Sequence, residues 1–129
     1  MICVDSDCII DFLRGKKEAV EIIKKYKDEL AATEINMFEI FTGIYAKREF
    51  SEKEENEAKQ FFDSLNIFYI DGWGIKAAKI FSDLLKIGKM MDQNDCFISA
   101  IMLVNGCNKI ITGNVKHFSR IKGIEVISY

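Results

Sequence analysis

The sequence predicts an α/β fold, specifically a three-layer α/β/α sandwich around a mainly parallel sheet of four to five strands. Short apolar segments of strand length alternate with longer segments whose apolar residues recur at helical spacing. Such alternation is typical of a parallel sheet with helices on both faces. The 129 residues contain no internal repeat and no linker rich in glycine, serine or proline, so we expect one domain over residues 1–129.

The first elements follow from short apolar runs. Residues 1–4 are predicted to form a strand that ends at Asp5, and residues 8–13 a short helix. Residues 17–27 place their apolar side chains on one helical face, and residues 30–33 are predicted to form the second strand.

The central part of the chain repeats this alternation. Residues 34–48 and 52–65 each have an apolar stripe at helical spacing. Residues 67–70 are predicted to form a strand that a turn at 71–72 closes, and residues 73–87 the next helix.

The last elements complete the sheet. Residues 95–105 are predicted to form a very apolar helix, and residues 109–112 and 124–127 two more strands. In parallel sheets, ligands bind beyond the carboxyl ends of the strands. Asp5 and Thr112 both lie where a predicted strand ends.

Composition limits the possible functions. A net charge of -2 does not indicate a strongly basic nucleic-acid binder, so an RNA partner would need local lysines or bound metal ions to offset its phosphates. No apolar run approaches the ~20 residues of a membrane span, and Asp5 interrupts the first one, so neither a membrane nor a signal peptide is expected. Four cysteines without zinc-site spacing predict buried thiols in a reducing cytoplasm: Cys3, Cys8, Cys96 and Cys107.

Carboxylates at two element boundaries are candidates for chemistry. Asp5 and Asp7 flank the start of the first helix, where we assign the helix cap to Asp7 and a functional role to Asp5. Asp92 or Asn94 suits the cap of the apolar helix. Asp95 suits it less well, because a carboxylate leading a buried helix is unfavourable unless it is paired or metal-bound.

Glu39 lies within a predicted helix, among small and apolar residues that include Thr42 and Gly43. A glutamate in such surroundings is unusual on a solvated face, and small neighbours would let the end of the sheet approach the helix closely. His117 is the single histidine of the chain. A histidine that stands alone is more often a surface or packing residue than a metal ligand or a base.

Four short segments follow one another along the chain: VDSD at 4–7, EIFTG at 39–43, NDCFISA at 94–100 and a longer run at 112–124. In that order they resemble four motifs of PIN-domain ribonucleases, namely D-T-N or D-S-N, E-x-x-x-G, N-D-x-x-I-A-A and T-x-N-x-x-D-F-x-R-I-x-G-L. The chain length resembles that of VapC toxins. Each motif alone is weak, whereas four in order are specific.

The resemblance implies an endoribonuclease that cleaves RNA with Mg²⁺ or Mn²⁺ bound by Asp5 and Asp95, with Glu39 completing the catalytic set. Clustered carboxylates repel one another, and all-oxygen ligands favour such hard ions over Zn²⁺. Auxiliary roles fall to six residues: Ser6, Asp7, Asp92, Thr112, Asn114 and His117.

The resemblance also implies a VapB-type antitoxin partner and a homodimer. Several aromatic residues exceed what a small sheet is expected to cover, which agrees with an interface: Phe41, Tyr45, Phe61 and Phe62.

Two departures from the motifs keep alternatives open. Asp7 stands where the family has asparagine, and His117 stands where it has an acid. The imidazole could accept a proton, bind the ion or contact phosphate.

The chain could also be a PIN-fold RNA-binding module or scaffold that has lost catalysis. A haloacid-dehalogenase-like phosphotransferase, with Asp5 as nucleophile and Asp92 and Asp95 as a late acidic pair, is a further alternative.

Overall fold

A computed structural model describes residues 1–69 and 72–129 of the chain. Within these ranges the strands are β1 (Ile2–Val4), β2 (Leu30–Thr33), β3 (Asn66–Phe68), β4 (Lys109–Ile111) and β5 (Glu125–Ile127). They form a five-stranded sheet in the order β3-β2-β1-β4-β5, and each neighbouring pair is parallel. The predicted α/β class with a parallel sheet is confirmed.

Helices connect these strands. In the same ranges they are α1 (Ser6–Leu13), α2 (Lys17–Lys25), α3 (Glu34–Tyr45), α4 (Glu52–Asp63), α5 (Trp73–Lys86), α6 (Gln93–Val104) and α7 (Val115–Phe118). Parallel neighbours need such crossover connections, because a tight hairpin can join only antiparallel strands.

The central strand β1 shows how the sheet is covered on both faces. Successive residues of a strand point to opposite faces. Ile2 and Val4 pack in a core with α1, α2, α3 and α4, whereas Cys3 packs in a second core with α5, α6 and α7. All three side chains are buried. The two cores account for the predicted three layers.

Helix α3 begins directly after β2 through a reciprocal cap. The Thr33 hydroxyl accepts a hydrogen bond from the backbone N–H of Asn36 at 3.2 Å, and Oδ1 of Asn36 accepts one from the N–H of Thr33 at 2.9 Å. This capping box fixes the helix at the carboxyl end of the strand. Glu39, one turn further along, is thereby held near the sheet edge.

The cap of α1 differs from the sequence prediction, which assigned it to Asp7. Asp5 is the N-cap, with an extended backbone, and its Oδ1 accepts a hydrogen bond from the N–H of Ser6 at 2.8 Å. Asp7 lies in the first helical turn. The prediction was wrong because the helix starts one residue after the strand-end aspartate, which leaves no loop between them.

Other differences are smaller. The predicted strand 67–70 is observed over Asn66–Phe68, and its end and closing turn include residues 70 and 71, which lie outside the described residues. Phe61 and Phe62, expected to be surplus to the core, are buried in it. The expected close approach at Gly43 is wrong, since a Cβ added there has no neighbour within 4 Å. Helix α7 was not predicted, because four residues give no helical period.

The four cysteines are buried and free, as predicted. No helix in the described part of the chain is long and apolar enough to cross a bilayer.

Candidate active site

The carboxyl ends of β1 and β4, which are neighbours in the sheet, bring Asp5 and Thr112 together. The Thr112 hydroxyl donates a hydrogen bond to Oδ2 of Asp5 at 2.8 Å, while the N–H of Ser6 donates to Oδ1. Asp5 is 5% exposed and Thr112 is fully buried. Asp5 is therefore both the helix cap and a rigidly held carboxylate at the sheet edge.

Asp7 reaches the same edge from the first turn of α1. Its Oδ2 accepts a hydrogen bond from the N–H of Gly113 at 3.0 Å, and the Thr112 hydroxyl lies 3.5 Å from both of its oxygens. A Cβ added at Gly113 would stand 3.0 Å from Oδ2 of Asp7. Glycine at this position thus allows the backbone to approach the carboxylate closely enough to donate.

Glu39 is tied to α1 through two polar side chains. The Ser6 hydroxyl donates to Oε1 of Glu39 at 2.9 Å, and Nδ2 of Asn36 donates to Oγ of Ser6 at 3.0 Å. Asn36 is fully buried, and its Oδ1 also accepts from the Thr33 hydroxyl at 2.8 Å. Asn36 was not predicted as a residue of the site. Its signal was the Thr33-x-x-Asn36 spacing of a helix cap that directly follows a strand.

The start of α6 adds two further acids. Asp92, one of the two residues predicted for the cap, is the N-cap, and its Oδ1 accepts a hydrogen bond from the N–H of Asn94, the other candidate, at 2.8 Å. Asp95 lies in the first turn with its side chain 15% exposed. In the described residues no hydrogen bond is found to the Asp95 carboxylate, so its oxygens are available to a ligand.

The segment after β4 completes the edge. The N–H of Asn114 donates to the Thr112 hydroxyl at 2.9 Å, and Nδ2 of Asn114 lies 2.9 Å from Nδ1 of His117. The same Nδ1 is 3.9 Å from Oδ2 of Asp95. All the residues selected from the sequence therefore lie around one edge of the sheet.

Tyr129 is a second residue that the sequence analysis missed. Its hydroxyl donates to Oδ2 of Asp11 at 2.7 Å, and its ring lies against the position of Gly113. It braces α1 against the loop that holds Asp7. No local sequence signal marks this role, since the bonded residues are 118 positions apart.

The acids of this edge perturb one another. Burial is the largest cause in each case, and it raises the pKa of Asp5 to about 8 and that of Asp95 to about 7. The pKa values of Asp7 and Glu39 are also raised, again mainly by burial. Neighbouring charge adds to the effect: Asp7 raises the pKa of Asp5, and Asp92 and Glu39 raise that of Asp95.

These pKa values show what the site lacks. Over the described ranges, no lysine or arginine is among the groups that chiefly set the pKa values of Asp5, Asp7, Glu39 and Asp95. Several buried carboxylates without a cation are unfavourable when ionised. The arrangement therefore favours either bound protons or a bound cation.

The donor set fits a hard divalent ion. The side chains offer carboxylate and hydroxyl oxygens, which Mg²⁺ and Mn²⁺ prefer. In residues 1–69 and 72–129, no three acidic, histidine or cysteine side chains lie close enough together to hold an ion as they stand. The unbonded Asp95 carboxylate and the repulsion between the acids are the features that would favour a bound ion.

A cleft of about 200 Å³ opens beside Glu39, between α1, α3 and α4. Its walls are largely apolar and include Ile10, Ile40 and Ile44. The basic side chains of the lining, Arg14 and Lys47, are offset by the acidic Glu54 and Glu57. Of the acids of the sheet edge, Glu39 is the one that lines this cleft.

Comparison with known proteins gives a family and a fold. The profile of the PIN domain family matches residues 2–124. Comparison with curated proteins finds no match. Among solved structures, VapBC2 from Rickettsia felis, bound to a DNA fragment from their promoter, matches with a TM-score of 0.88 at 16% identity, covering 100% of this chain and 99% of that chain.

Two further structures agree. DNA-bound VapBC from Salmonella typhimurium matches with a TM-score of 0.86 at 19% identity, covering 99% of this chain and 98% of that chain. VapBC-1 from nontypeable Haemophilus influenzae matches with a TM-score of 0.85 at 22% identity, with the same coverage of 99% and 98%. At these identities the likeness shows a shared fold over the full length of the chain.

Proposed function

The chain belongs to the PIN domain family, and we propose that it is an endoribonuclease that hydrolyses RNA phosphodiester bonds with the help of a bound Mg²⁺ or Mn²⁺ ion. The observation that carries this proposal is the convergence of buried carboxylates near the carboxyl ends of β1 and β4, where no described lysine or arginine is among the groups that chiefly set the pKa values of Asp5 and Asp95. A divalent ion relieves that repulsion, and it also offsets the charge of RNA phosphates on a protein of net charge -2.

The residues of the site have different proposed roles. Asp5 and Asp95 would hold the ion, and it would supply Lewis-acid chemistry by activating water and stabilising charge at phosphorus. The Thr112 hydroxyl and the N–H of Ser6 orient Asp5. Glu39, held by Ser6, has a raised pKa and so accepts a proton from water more readily than an ordinary glutamate.

His117 stands where the family motif has an acid, and Asp7 is the best-placed residue to supply the missing negative charge. Its charge raises the pKa values of Asp5, Glu39 and Asp95, so it stands close to all three. Asp92 is more exposed and its Oδ1 is engaged in capping α6. We therefore assign the extra negative charge of this site to Asp7.

We further propose that the chain is the toxin of a VapBC-type pair and binds a small VapB-type antitoxin. The similar structures from Rickettsia felis and Haemophilus influenzae are VapBC proteins. An antitoxin segment in the cleft beside Glu39 would meet apolar walls and would cover one side of the acidic edge. Such a segment would block the approach of RNA.

A homodimer is proposed on the basis of an aromatic surface on and after α3. Phe38 is 64% exposed, and Tyr45 and Phe50 are each 54% exposed. Large exposed aromatic residues that lie near one another mark interaction surfaces; here the rings of Tyr45 and Phe50 are 6.0 Å apart. Light scattering at micromolar concentration should give twice the chain mass, and a strict monomer would count against the dimer.

One nuclease domain over residues 1–129 and a cytoplasmic location complete the proposal. A single sheet with a core on each face supports the first, and four buried free thiols agree with a reducing compartment.

The test is cleavage of RNA by the purified protein with Mg²⁺, with Mn²⁺ and with EDTA. Cleavage should require the metal and should leave 5′-phosphate and 3′-hydroxyl ends, because water rather than the ribose 2′-hydroxyl attacks phosphorus. A substrate with 2′-deoxyribose at the cleaved position should still be cut. Binding of RNA without cleavage under any of these conditions would instead favour the PIN-fold scaffold. The family assignment leaves the haloacid-dehalogenase-like alternative without support.

A further inference from the structure

The ring of Tyr129 lies beside the loop that follows β4. The ring is half-buried and packs against the core that β1 forms with α1, α2, α3 and α4. Cε1 and the hydroxyl oxygen of Tyr129 each lie 3.5 Å from the position that a Cβ on Gly113 would take, and Oδ2 of Asp7 lies 3.0 Å from the same position. The ring and the Asp7 carboxylate therefore flank the same side of Gly113.

Two side chains of the first helical segments hold the Tyr129 ring in place. The Tyr129 hydroxyl donates a hydrogen bond to Oδ2 of Asp11 at 2.7 Å. The Lys16 ammonium lies 3.3 Å from the same oxygen and 5.8 Å from the centroid of the Tyr129 ring, within the range of a cation–π contact. The ring is thus anchored at its hydroxyl and over its face.

One face of α1 connects these contacts to the acidic edge. Asp7 and Asp11 are four residues apart in the helix, so their side chains lie on the same face. Asp7 accepts the hydrogen bond of the Gly113 N–H at 3.0 Å, and Asp11 accepts that of Tyr129. Loss of the ring would open space beside Gly113, and its N–H could then move away from the Asp7 carboxylate.

We propose that Tyr129 is a positioning residue for the reaction, which keeps the N–H of Gly113 on Oδ2 of Asp7 and so holds the Asp7 carboxylate at the acidic edge. The hydroxyl of Tyr129 bonds to Asp11 and not to a proposed catalytic acid, so we expect its effect on cleavage to pass through Gly113 and Asp7. Partners that orient the groups of a metal site commonly affect its activity in this way. This inference rests on the proposed nuclease function and adds to it a residue outside the acidic cluster.

The first test is exchange of the Gly113 amide hydrogen with water, measured by NMR on the full, metal-free chain. Tyr129→Leu keeps an apolar side chain but removes the ring and the hydroxyl, and it should speed exchange at Gly113 about tenfold. The N–H of Asn114 donates instead to the buried Thr112 hydroxyl at 2.9 Å and should keep its exchange rate. A selective change at Gly113 distinguishes a lost contact from a general loss of stability.

Two further variants remove one hydroxyl each. Tyr129→Phe keeps the ring, and with it the packing against the core, and should speed exchange at Gly113 less than Tyr129→Leu does. It also serves as the test variant if the leucine variant fails to fold. Tyr26→Phe is the matched control, because Tyr26 is a half-buried tyrosine at the end of α2, and it should match wild type in exchange and in cleavage.

The second test is a double-mutant cycle on RNA cleavage. Tyr129→Leu should lower the single-turnover rate about tenfold in the wild-type chain. In an Asp7→Ala background it should lower the rate by less than about twofold, because the contact that it protects is already absent. A purely structural role would lower the rate by the same factor in both backgrounds.

Equal losses in the two backgrounds, or an unchanged exchange rate at Gly113, would overturn the inference and leave the nuclease proposal standing. Absence of cleavage by the wild-type chain would overturn the proposed function and, with it, the role of Tyr129 in the reaction.

Discussion

Replacing Asp95 with asparagine should stabilise the metal-free protein at pH 8. Burial and the charges of Asp92 and Glu39 raise the pKa of Asp95 from its usual 3.8 to about 7. Between these two pH values the folded chain binds a proton that the unfolded chain has released, so stability falls as pH rises through that window. Asparagine is neutral at every pH and escapes this loss.

The size of the effect follows from the pKa. A rise from 3.8 to about 7 corresponds to an upper limit of about 4 kcal/mol above pH 7. Partial exposure and solvent screening reduce this, and we expect about 2 kcal/mol at pH 8 and less than about 1 kcal/mol at pH 5. Loss of the charge near the N-terminus of α6 opposes the gain by only about 0.3–1 kcal/mol. Repulsion therefore outweighs the helix dipole.

The assay is urea unfolding in EDTA at pH 5 and pH 8, with equal m-values in both proteins as the sign that only stability has changed. Asp83→Asn is the matched control, because Asp83 is an exposed acid on α5, and its midpoint difference from wild type should be the same at both pH values. A destabilised Asp95→Asn protein, or a gain that does not depend on pH, would show that the charge of Asp95 does not destabilise the metal-free protein.

Three further predictions concern the residues that position the site and the ion that it is proposed to bind. Ser6→Ala should lower RNA cleavage and reduce the free energy of unfolding by about 1–3 kcal/mol, because it releases Glu39 and leaves buried Nδ2 of Asn36 without its acceptor. Ser6→Thr keeps the hydroxyl and should lose less cleavage and less stability than Ser6→Ala. Equal losses in the two variants would contradict the role of the hydroxyl. Gly113→Ala should weaken Mn²⁺ binding about tenfold in calorimetry, because its Cβ displaces Oδ2 of Asp7; an unchanged Kd would place Asp7 outside the site. Mg²⁺ or Mn²⁺ at 100 times Kd should stabilise the wild-type chain by about 2.7 kcal/mol, roughly 10 °C in Tm, and the absence of any thermal shift would speak against a bound ion.

The strand ends of the site were predictable because their signal is local. An apolar run that stops at a charged or polar residue marks both Asp5 and Thr112. Burial of the runs on both faces of the sheet requires that pattern. The alternation of elements likewise predicted a parallel sheet, although it could not give the order of the strands.

The links between these residues were not predictable, because they depend on tertiary packing. Ser6 and Glu39 are 33 positions apart, and Ser6 and Asn36 are 30 apart. The sequence marks Asn36 as part of a helix cap, but only the packing of α1 against α3 shows that its amide also orients Ser6. The dual role of Asp5 as cap and site carboxylate was hidden for a similar reason, since its second partner, Thr112, is 107 positions away.

Metal held by Asp5 at the sheet edge should drive cleavage of RNA. Single-turnover cleavage with Mn²⁺ by Asp5→Asn, compared with the wild-type chain, measures this directly. Asparagine caps helices as well as aspartate does, so α1 should remain intact and circular dichroism should match wild type. Asp28→Asn, which changes an exposed acid, is the matched control and should cleave at the wild-type rate. We predict that Asp5→Asn loses cleavage by at least about a hundredfold and binds Mn²⁺ more weakly. Cleavage by Asp5→Asn at the wild-type rate would show that Asp5 does not hold a metal needed for the reaction.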